Sequence, residues 1–222
     1  MASALRAEPV PRSFEKTSLR LVRPRESSEQ YEESVTELAR RLLPGTAFHV
    51  AGFAFVEIRM PRADQLPHRL VVVAFLCFTV IRIAGIALGL RRRSPVAWRM
   101  AVMATGSIGA NVVWGARTAA VYLYSGASEQ SILMLVIMCG LTTGAMTAYA
   151  PSLWVQRAAQ SAMFVPVVTA GFLGSASVSL ALLNAMFFLY ILGRGGVAHR
   201  DYWQSVRANE LLRRHAESAQ RA

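Results

Sequence analysis

The sequence has little that is typical of a catalytic or metal-binding protein. Its two cysteines, Cys77 and Cys139, both lie within apolar runs, so they offer neither a disulfide framework nor metal-ligand spacing. The chain also lacks His-Glu-x-x-His, Gly-x-Ser-x-Gly and Walker motifs, which mark zinc proteases, serine hydrolases and nucleotide-binding loops. We therefore expect no enzyme activity, no bound metal and no cofactor.

Charge is also scarce over long parts of the chain. Charged residues make up 17% of the 222 residues and apolar residues 54%, above the roughly 45–50% of soluble domains. Residues 70–90 contain a single charge, Arg82, and residues 131–153 contain none. Because uncharged apolar runs of about 18 residues or more indicate membrane spans, the sequence predicts a polytopic membrane protein.

The predicted fold is all-α, with six transmembrane helices, a cytoplasmic N-tail and a C-terminal juxtamembrane signalling helix. Residues 1–41 are predicted as a tail that is disordered over 1–25 and then forms a short amphipathic helix. That helix either lies in the membrane interface or is the start of the first span. Residues 42–195 form the transmembrane domain and 196–222 a cytoplasmic helix. The six spans are predicted at 42–60, 70–90, 97–122, 131–150, 155–173 and 176–192.

The net charge of +11 has a distribution that predicts the orientation of these spans. Nineteen Lys and Arg residues lie in the N-tail, the C-tail and the loops on their side, against three on the other side. By the positive-inside rule both termini are cytoplasmic, and the localisation predicted is the inner membrane of a bacterium. The bilayer, and not nucleic acid, is then the expected partner of the basic residues.

Four polar residues within the predicted spans are candidate ligand contacts. Arg82 is either an anion or ligand contact or a structural arginine that snorkels or caps carbonyls between helices. His49 and Glu57 are eight residues apart and share a helix face, where they could form a polar pocket with Arg82. Alternatively, Glu57 is interfacial and His49 hydrogen-bonds a neighbouring helix. Asn111 and Asn184 are more typical of hydrogen bonds between helices than of ligand sites.

Two pairs of glycines have the spacing that allows close helix packing. Gly85 and Gly89 form one pair, and Gly140 and Gly144 form the other. Packing within the bundle is the favoured interpretation of both pairs, and homodimerisation through one of them is the alternative.

The last span leads into a polar tail that is the predicted output segment. The glycine-rich stretch 193–196 is predicted to be a hinge after span six. Residues 201–222 are helix-prone and have a weak heptad pattern, which fits either a single solvated helix or a parallel coiled coil. The heptad positions are Tyr202, Asn209 and Ala216, followed by Ser205, Leu212 and Ala219.

Several local sequences resemble the six-span sensor region of bacterial membrane-bound histidine kinases and diguanylate cyclases, over about residues 38–222. They are Ile81-Arg82-Ile83, Trp98-Arg99, Gly109, Trp114-Gly115, Ala150-Pro151, His199-Arg200-Asp201-Tyr202-Trp203 and Asn209-Glu210-Leu211-Leu212.

The resemblance implies signal transduction through a homodimer that is paired by span six and the tail, as in two-component systems. In such proteins the tail continues into a kinase or cyclase module. No sequence resembling either follows here, so we expect the output module on a continuation or on a partner chain. A small transporter or channel, and a membrane anchor for a cytoplasmic partner, are the alternative functions.

Overall fold

The computed structural model describes residues 28–59, 66–126, 128–173 and 178–221. Within these ranges the chain is all-helical, with six helices and no strand, so the predicted all-α class is confirmed. The tail predicted to be disordered, residues 1–25, lies outside the described residues. The helices are α1 (Ser28–Arg59), α2 (Leu66–Arg91), α3 (Val96–Ser125), α4 (Glu129–Ala148), α5 (Leu153–Leu173) and α6 (Val178–Arg221).

Helix α1 joins two segments that the sequence analysis treated as separate. It runs without interruption through the predicted boundary between residues 41 and 42, so the amphipathic segment and the predicted span one form a single helix. Its apolar face, which includes Val35, Leu38 and Leu42, is fully buried. Pro44 lies in the interior of this helix, where its ring nitrogen cannot donate the α-helical hydrogen bond to the carbonyl of Arg40.

Helix α6 is also continuous, and the predicted hinge at 193–196 is wrong. The 44-residue helix passes through all three glycines of that stretch. Gly195 is buried, and a Cβ built there would overlap the carboxamide of Gln156 on α5. The glycine therefore permits close packing between α5 and α6 and does not break the helix.

The tail is helical as predicted, because α6 continues to Arg221. Tyr202 is half-buried against the bundle, whereas Asn209, Leu212, Ala216 and Ala219 are exposed to solvent. The described chain alone therefore leaves this heptad face uncovered, and the coiled coil stays a prediction.

Helix α3 is at the centre of the bundle and contacts α1, α2, α4 and α5. Glycines allow the closest approaches. A Cβ at Gly85 of α2 would lie 2.6 Å from the backbone nitrogen of Met103 on α3, and one at Gly89 would lie 2.7 Å from the Cβ of Ala39. The predicted packing role of Gly85 and Gly89 is therefore confirmed.

Asn184 links α6 to the central helix. Its amide nitrogen lies 3.3 Å from the hydroxyl of Tyr122 on α3 and donates to the carbonyl of Leu180 on its own helix. The predicted role of Asn184 as a contact between helices is confirmed.

The bundle contains two hydrophobic clusters with a polar layer between them. The aromatic cluster includes Phe53, Phe75 and Trp114, and the aliphatic cluster includes Leu42, Ile86 and Met103. Near the junction of the two clusters, α1 to α5 carry buried polar side chains, which we call the polar layer. Its members are Thr46, His49, Thr79, Arg82, Ser107, Asn111, Thr142 and Gln160.

Among the helices that the structure describes, three segments are long and apolar enough to cross a membrane. They are His68–Arg91 in α2, Glu129–Ala148 in α4 and Val178–Arg221 in α6. The other three helices contribute most of the polar layer, which lowers their hydropathy: α1 supplies His49, α3 supplies Asn111 and α5 supplies Gln160.

Candidate functional site

The candidate site is a cavity of about 580 Å³ that opens beside the polar layer, between α1 and α4. Its wall includes two arginines, one histidine and two carboxamides, and no carboxylate. The lining residues are Arg41, Pro44, Gly45, Phe48, His49, Arg82, Asn111, Gly140, Leu141, Thr142, Gly144, Ala145, Thr147, Ala148, Tyr149, Ala159 and Gln160.

Arg82 is the charged group at the inner wall of this cavity. Its backbone packs directly against Gly106 of α3, and its guanidinium reaches the α1 side, where Nη2 lies 3.8 Å from the Cβ position of Gly45. The residue is only 3% exposed, and its Nε and Nη1 atoms have no hydrogen-bond partner. Among the described residues, no Asp or Glu forms an ion pair with it. A buried guanidinium without a counterion is costly, and a ligand that supplies one would be stabilised there.

Two neutral side chains with unused hydrogen-bonding atoms also line the cavity. His49 is 7% exposed and its Nε2 atom has no partner, while its ring lies between Phe75 and Trp114 at centroid distances of 6.2 and 6.1 Å. Gln160 is fully buried, and neither its amide nitrogen nor its amide oxygen has a partner. Side chains from three different helices therefore place polar atoms without a partner beside the cavity.

Asn111 also lines the cavity, but its amide nitrogen donates to the carbonyl of Ser107 at 2.7 Å, within α3. The structure thus brings three of the four candidate ligand contacts, His49, Arg82 and Asn111, to one cavity. Gln160 and Arg41 complete the polar wall and were not predicted. The sequence signal for Gln160 is the same as for Asn111, a carboxamide within an apolar run.

Glu57 is not part of this cavity, so its predicted grouping with His49 and Arg82 is wrong. Its carboxylate lies 3.2 Å from Arg117 Nε on α3 and 3.0 Å from His68 Nδ1 on α2. Eight residues along a helix correspond to about 12 Å, which carries Glu57 past the aromatic cluster to the far end of the bundle. The carboxylate therefore joins α1, α2 and α3 at that end.

Gly140 and Gly144 line the cavity and do not pack against another helix of the bundle. Both are exposed, and a Cβ built at either position would have no neighbour within 4 Å. The predicted packing within the bundle is therefore wrong for this pair. Because glycine has no side chain, these two positions of α4 leave the cavity open towards the outside of the bundle.

Arg41 connects the cavity to the C-terminal part of α6. It lines the cavity, and its Nη1 atom donates to the carbonyl of Thr147 on α4 at 3.2 Å. Its guanidinium carbon also lies 5.1 Å from the centroid of the Tyr202 ring, a cation–π distance. His199 makes a second contact between α6 and the bundle, because its Nδ1 lies at hydrogen-bond distance, 2.7 Å, from the carbonyl oxygen of Ala150.

No protein-family model matches this chain, and no curated protein or solved structure is similar to it. Over the described ranges, no three His, Cys, Asp or Glu side chains come together as a metal site. What the site can bind is therefore inferred from its own side chains and shape. A cavity with a buried cation, unpaired neutral donors and apolar walls can bind and orient an anionic group.

Proposed function

We propose that this chain is a membrane-embedded sensory module that passes a stimulus from the cavity to the C-terminal part of α6. The observation that carries the proposal is the continuity of α6, which extends from the bundle to Arg221 as one helix. A helix without a break transmits a rotation or a shift along its whole length.

The contact between the cavity and α6 supports this direction of transmission. Arg41 belongs to the cavity wall and also lies over the ring of Tyr202. A ligand that changes the position of Arg41 would therefore alter a contact that holds α6 against the bundle. The glycine contact at Gln156 and the bond at His199 hold α6 at two further points.

The six helices are proposed as six membrane spans with both termini in the cytoplasm. Large apolar side chains are exposed on every helix, including Phe48 on α1, Val112 on α3 and Val165 on α5. Such a surface is costly in water and is expected in contact with lipid. The arginine distribution of the sequence supports the orientation and a location in a bacterial inner membrane.

We propose that the module is a homodimer through α6. Leu182, Met186, Leu189 and Gly193 are exposed and recur at helical spacing, which gives α6 a continuous face without a partner in the described chain. Gly193 would let two such helices approach closely, since nothing in its own chain lies within 4 Å of a Cβ built there. The output module, a kinase or cyclase by the resemblance of the sequence, would lie on a continuation or on a partner chain.

Cross-linking in native membranes tests the dimer. Single cysteines at Val206 and Leu212, in a variant without Cys77 and Cys139, are expected to give a covalent dimer with a bis-maleimide reagent. A cysteine at Arg40, on the exposed side of α1, is the matched control and should give little dimer. Gly193→Leu should reduce the cross-linking at both tail positions. Monomers alone at Val206 and Leu212 would contradict the dimer.

A transporter is the second candidate function, and the cavity is the observation that favours it. Many transporters have a broken helix at their binding site, but α5 continues through Pro166 from Leu153 to Leu173. Flux of a carboxylate in reconstituted vesicles, abolished by Arg82→Ala, would support transport.

A further inference from the structure

We infer that the cavity binds the carboxylate of a single-chain amphiphile, which enters from the bilayer between α1 and α4. This inference deepens the proposed function by naming the class of ligand. It rests on the proposed function only for the effect of binding on α6.

The charge of the wall selects an anion. Arg82 has two guanidinium nitrogens without a partner, and the cavity lining contains no acidic residue that could neutralise it. A carboxylate accepts two hydrogen bonds from a guanidinium in a planar arrangement and supplies the missing negative charge. The side chains of Gln160 and His49 also line the cavity, and the Gln160 amide nitrogen and His49 Nε2 are buried without a hydrogen-bond partner.

The remaining wall selects an apolar body. Apart from its polar residues, the cavity is lined by Phe48, Leu141, Ala145 and Ala148, among other small or apolar residues, and by the two open glycines of α4. The cavity volume of about 580 Å³ falls within the roughly 300–1,000 Å³ of ligand cavities in proteins. A ligand with one charged end and one apolar chain matches both parts of the cavity.

The position of the opening indicates that the ligand enters the cavity from the bilayer. Gly140 and Gly144 are exposed, and so is Phe48 across from them on α1, at 70%. Helix α4 is one of the three helices apolar enough to cross a membrane, so its exposed side would face acyl chains. A ligand that partitions into the bilayer therefore reaches the cavity through this gap.

Binding to the intact protein in nanodiscs of phosphatidylcholine tests the inference. Dodecanoate is the probe, and calorimetry measures its binding after correction for partition into empty discs. Dodecanol tests the need for the carboxylate, and acetate tests the need for the chain. We expect saturable binding of dodecanoate at about one molecule per chain, and at least about tenfold weaker binding of both controls, since a charge-assisted contact and a buried chain each contribute at least that much.

Two variants locate the site. Arg82→Met should weaken dodecanoate binding about 10- to 100-fold. Gly144→Leu should abolish it by filling the opening, and it is expected to fold because nothing lies within 4 Å of its Cβ. Ala101→Leu is the control, since Ala101 is also exposed but lies on α3 outside the cavity lining, and its binding should equal that of the unchanged protein. Helical content and elution from a sizing column check the fold of each variant.

If dodecanol binds as tightly as dodecanoate, the site does not require a carboxylate. If acetate binds as tightly as dodecanoate, the site does not require an apolar chain. Either result would overturn the inference. Loss of dodecanoate binding when phosphatidylglycerol replaces phosphatidylcholine, after correction for partition into empty phosphatidylglycerol discs, would assign the site to the headgroup of an anionic lipid and overturn the inference. No saturable binding, with dimeric cross-links at the tail intact, would overturn the inference and leave the proposed function standing. Saturable binding without any tail dimer would contradict the proposed dimer alone.

Discussion

The α2–α3 interface and the exposed side of α4 contain the same sequence motif in opposite environments. Gly85 and Gly89 on α2 are buried, and a Cβ at either would come within 3 Å of a neighbouring helix. Gly140 and Gly144 on α4 have the same spacing, yet a Cβ at either meets nothing within 4 Å. Glycine spacing indicates that a backbone is accessible, but not whether a helix or a cavity lies beside it.

Two buried arginines of the bundle also differ in their partners. Arg99 lies in the first turn of α3, is 1% exposed and lies 2.7 Å from the carboxylate of Glu32 on α1. Arg82 is buried to a similar extent but has no carboxylate among its described neighbours. The first arginine has the ion pair of a structural residue, whereas the second has the unpaired guanidinium atoms on which we base the proposed ligand site.

The largest expected effect comes from the same substitution in the two glycine pairs. Gly85→Leu places a side chain against the backbone of Met103, which cannot move without separating α2 from α3. We expect a loss of about 3 kcal/mol or more in the free energy of unfolding, or no folded protein. Gly144→Leu should change that free energy by less than about 1 kcal/mol.

Unfolding by sodium dodecyl sulfate in mixed micelles, followed by circular dichroism, measures both variants. Gly140→Ala provides a further control on α4, and it should be neutral or stabilising by about 0.5–1 kcal/mol because alanine favours a helix. Equal destabilisation by Gly85→Leu and Gly144→Leu would contradict the cavity beside α4.

A smaller effect is expected from the two arginines. Arg99→Met removes a partner of Glu32, and we expect a loss of about 1–3 kcal/mol, less than for a fully buried pair because the Glu32 side chain is 43% exposed. Arg82→Met removes an unpaired buried charge and should leave the unliganded protein equally stable or more stable. The same unfolding assay, without added amphiphile, compares them. A loss for Arg82→Met as large as for Arg99→Met would assign Arg82 to structure.

The helices were predictable from the sequence because each of them contains a long, local run of mainly apolar residues. The observed and predicted ends of a helix agree best where a charged residue directly follows the apolar run, as at Arg91, the last residue of α2. The hinge at 193–196 was predicted wrongly because glycine favours a break only when no neighbouring helix needs the space. Gln156, which needs that space at Gly195, lies almost forty residues away in the sequence.

The site was predictable in part for the same reason. His49, Arg82 and Asn111 were recognisable because polar residues within apolar runs are rare. The pairing of Glu57 with Arg117 and His68 depends on which helices are neighbours, and a single helix face does not contain that information. The cavity opens where α4 has glycines in place of larger side chains. The only sign of this in the sequence is the spacing of the two glycines.

The most direct test is a distance measurement between α1 and α6 by pulsed electron paramagnetic resonance. Spin labels at Arg40 and Ala208, in nanodiscs and in a variant without Cys77 and Cys139, report the position of the α6 tail, and dilution with unlabelled protein isolates the distance within one chain. Saturating dodecanoate is predicted to shift the distance distribution, and Arg82→Met is predicted to prevent the shift. An unchanged distribution in protein that has bound dodecanoate would contradict transmission from the cavity to α6.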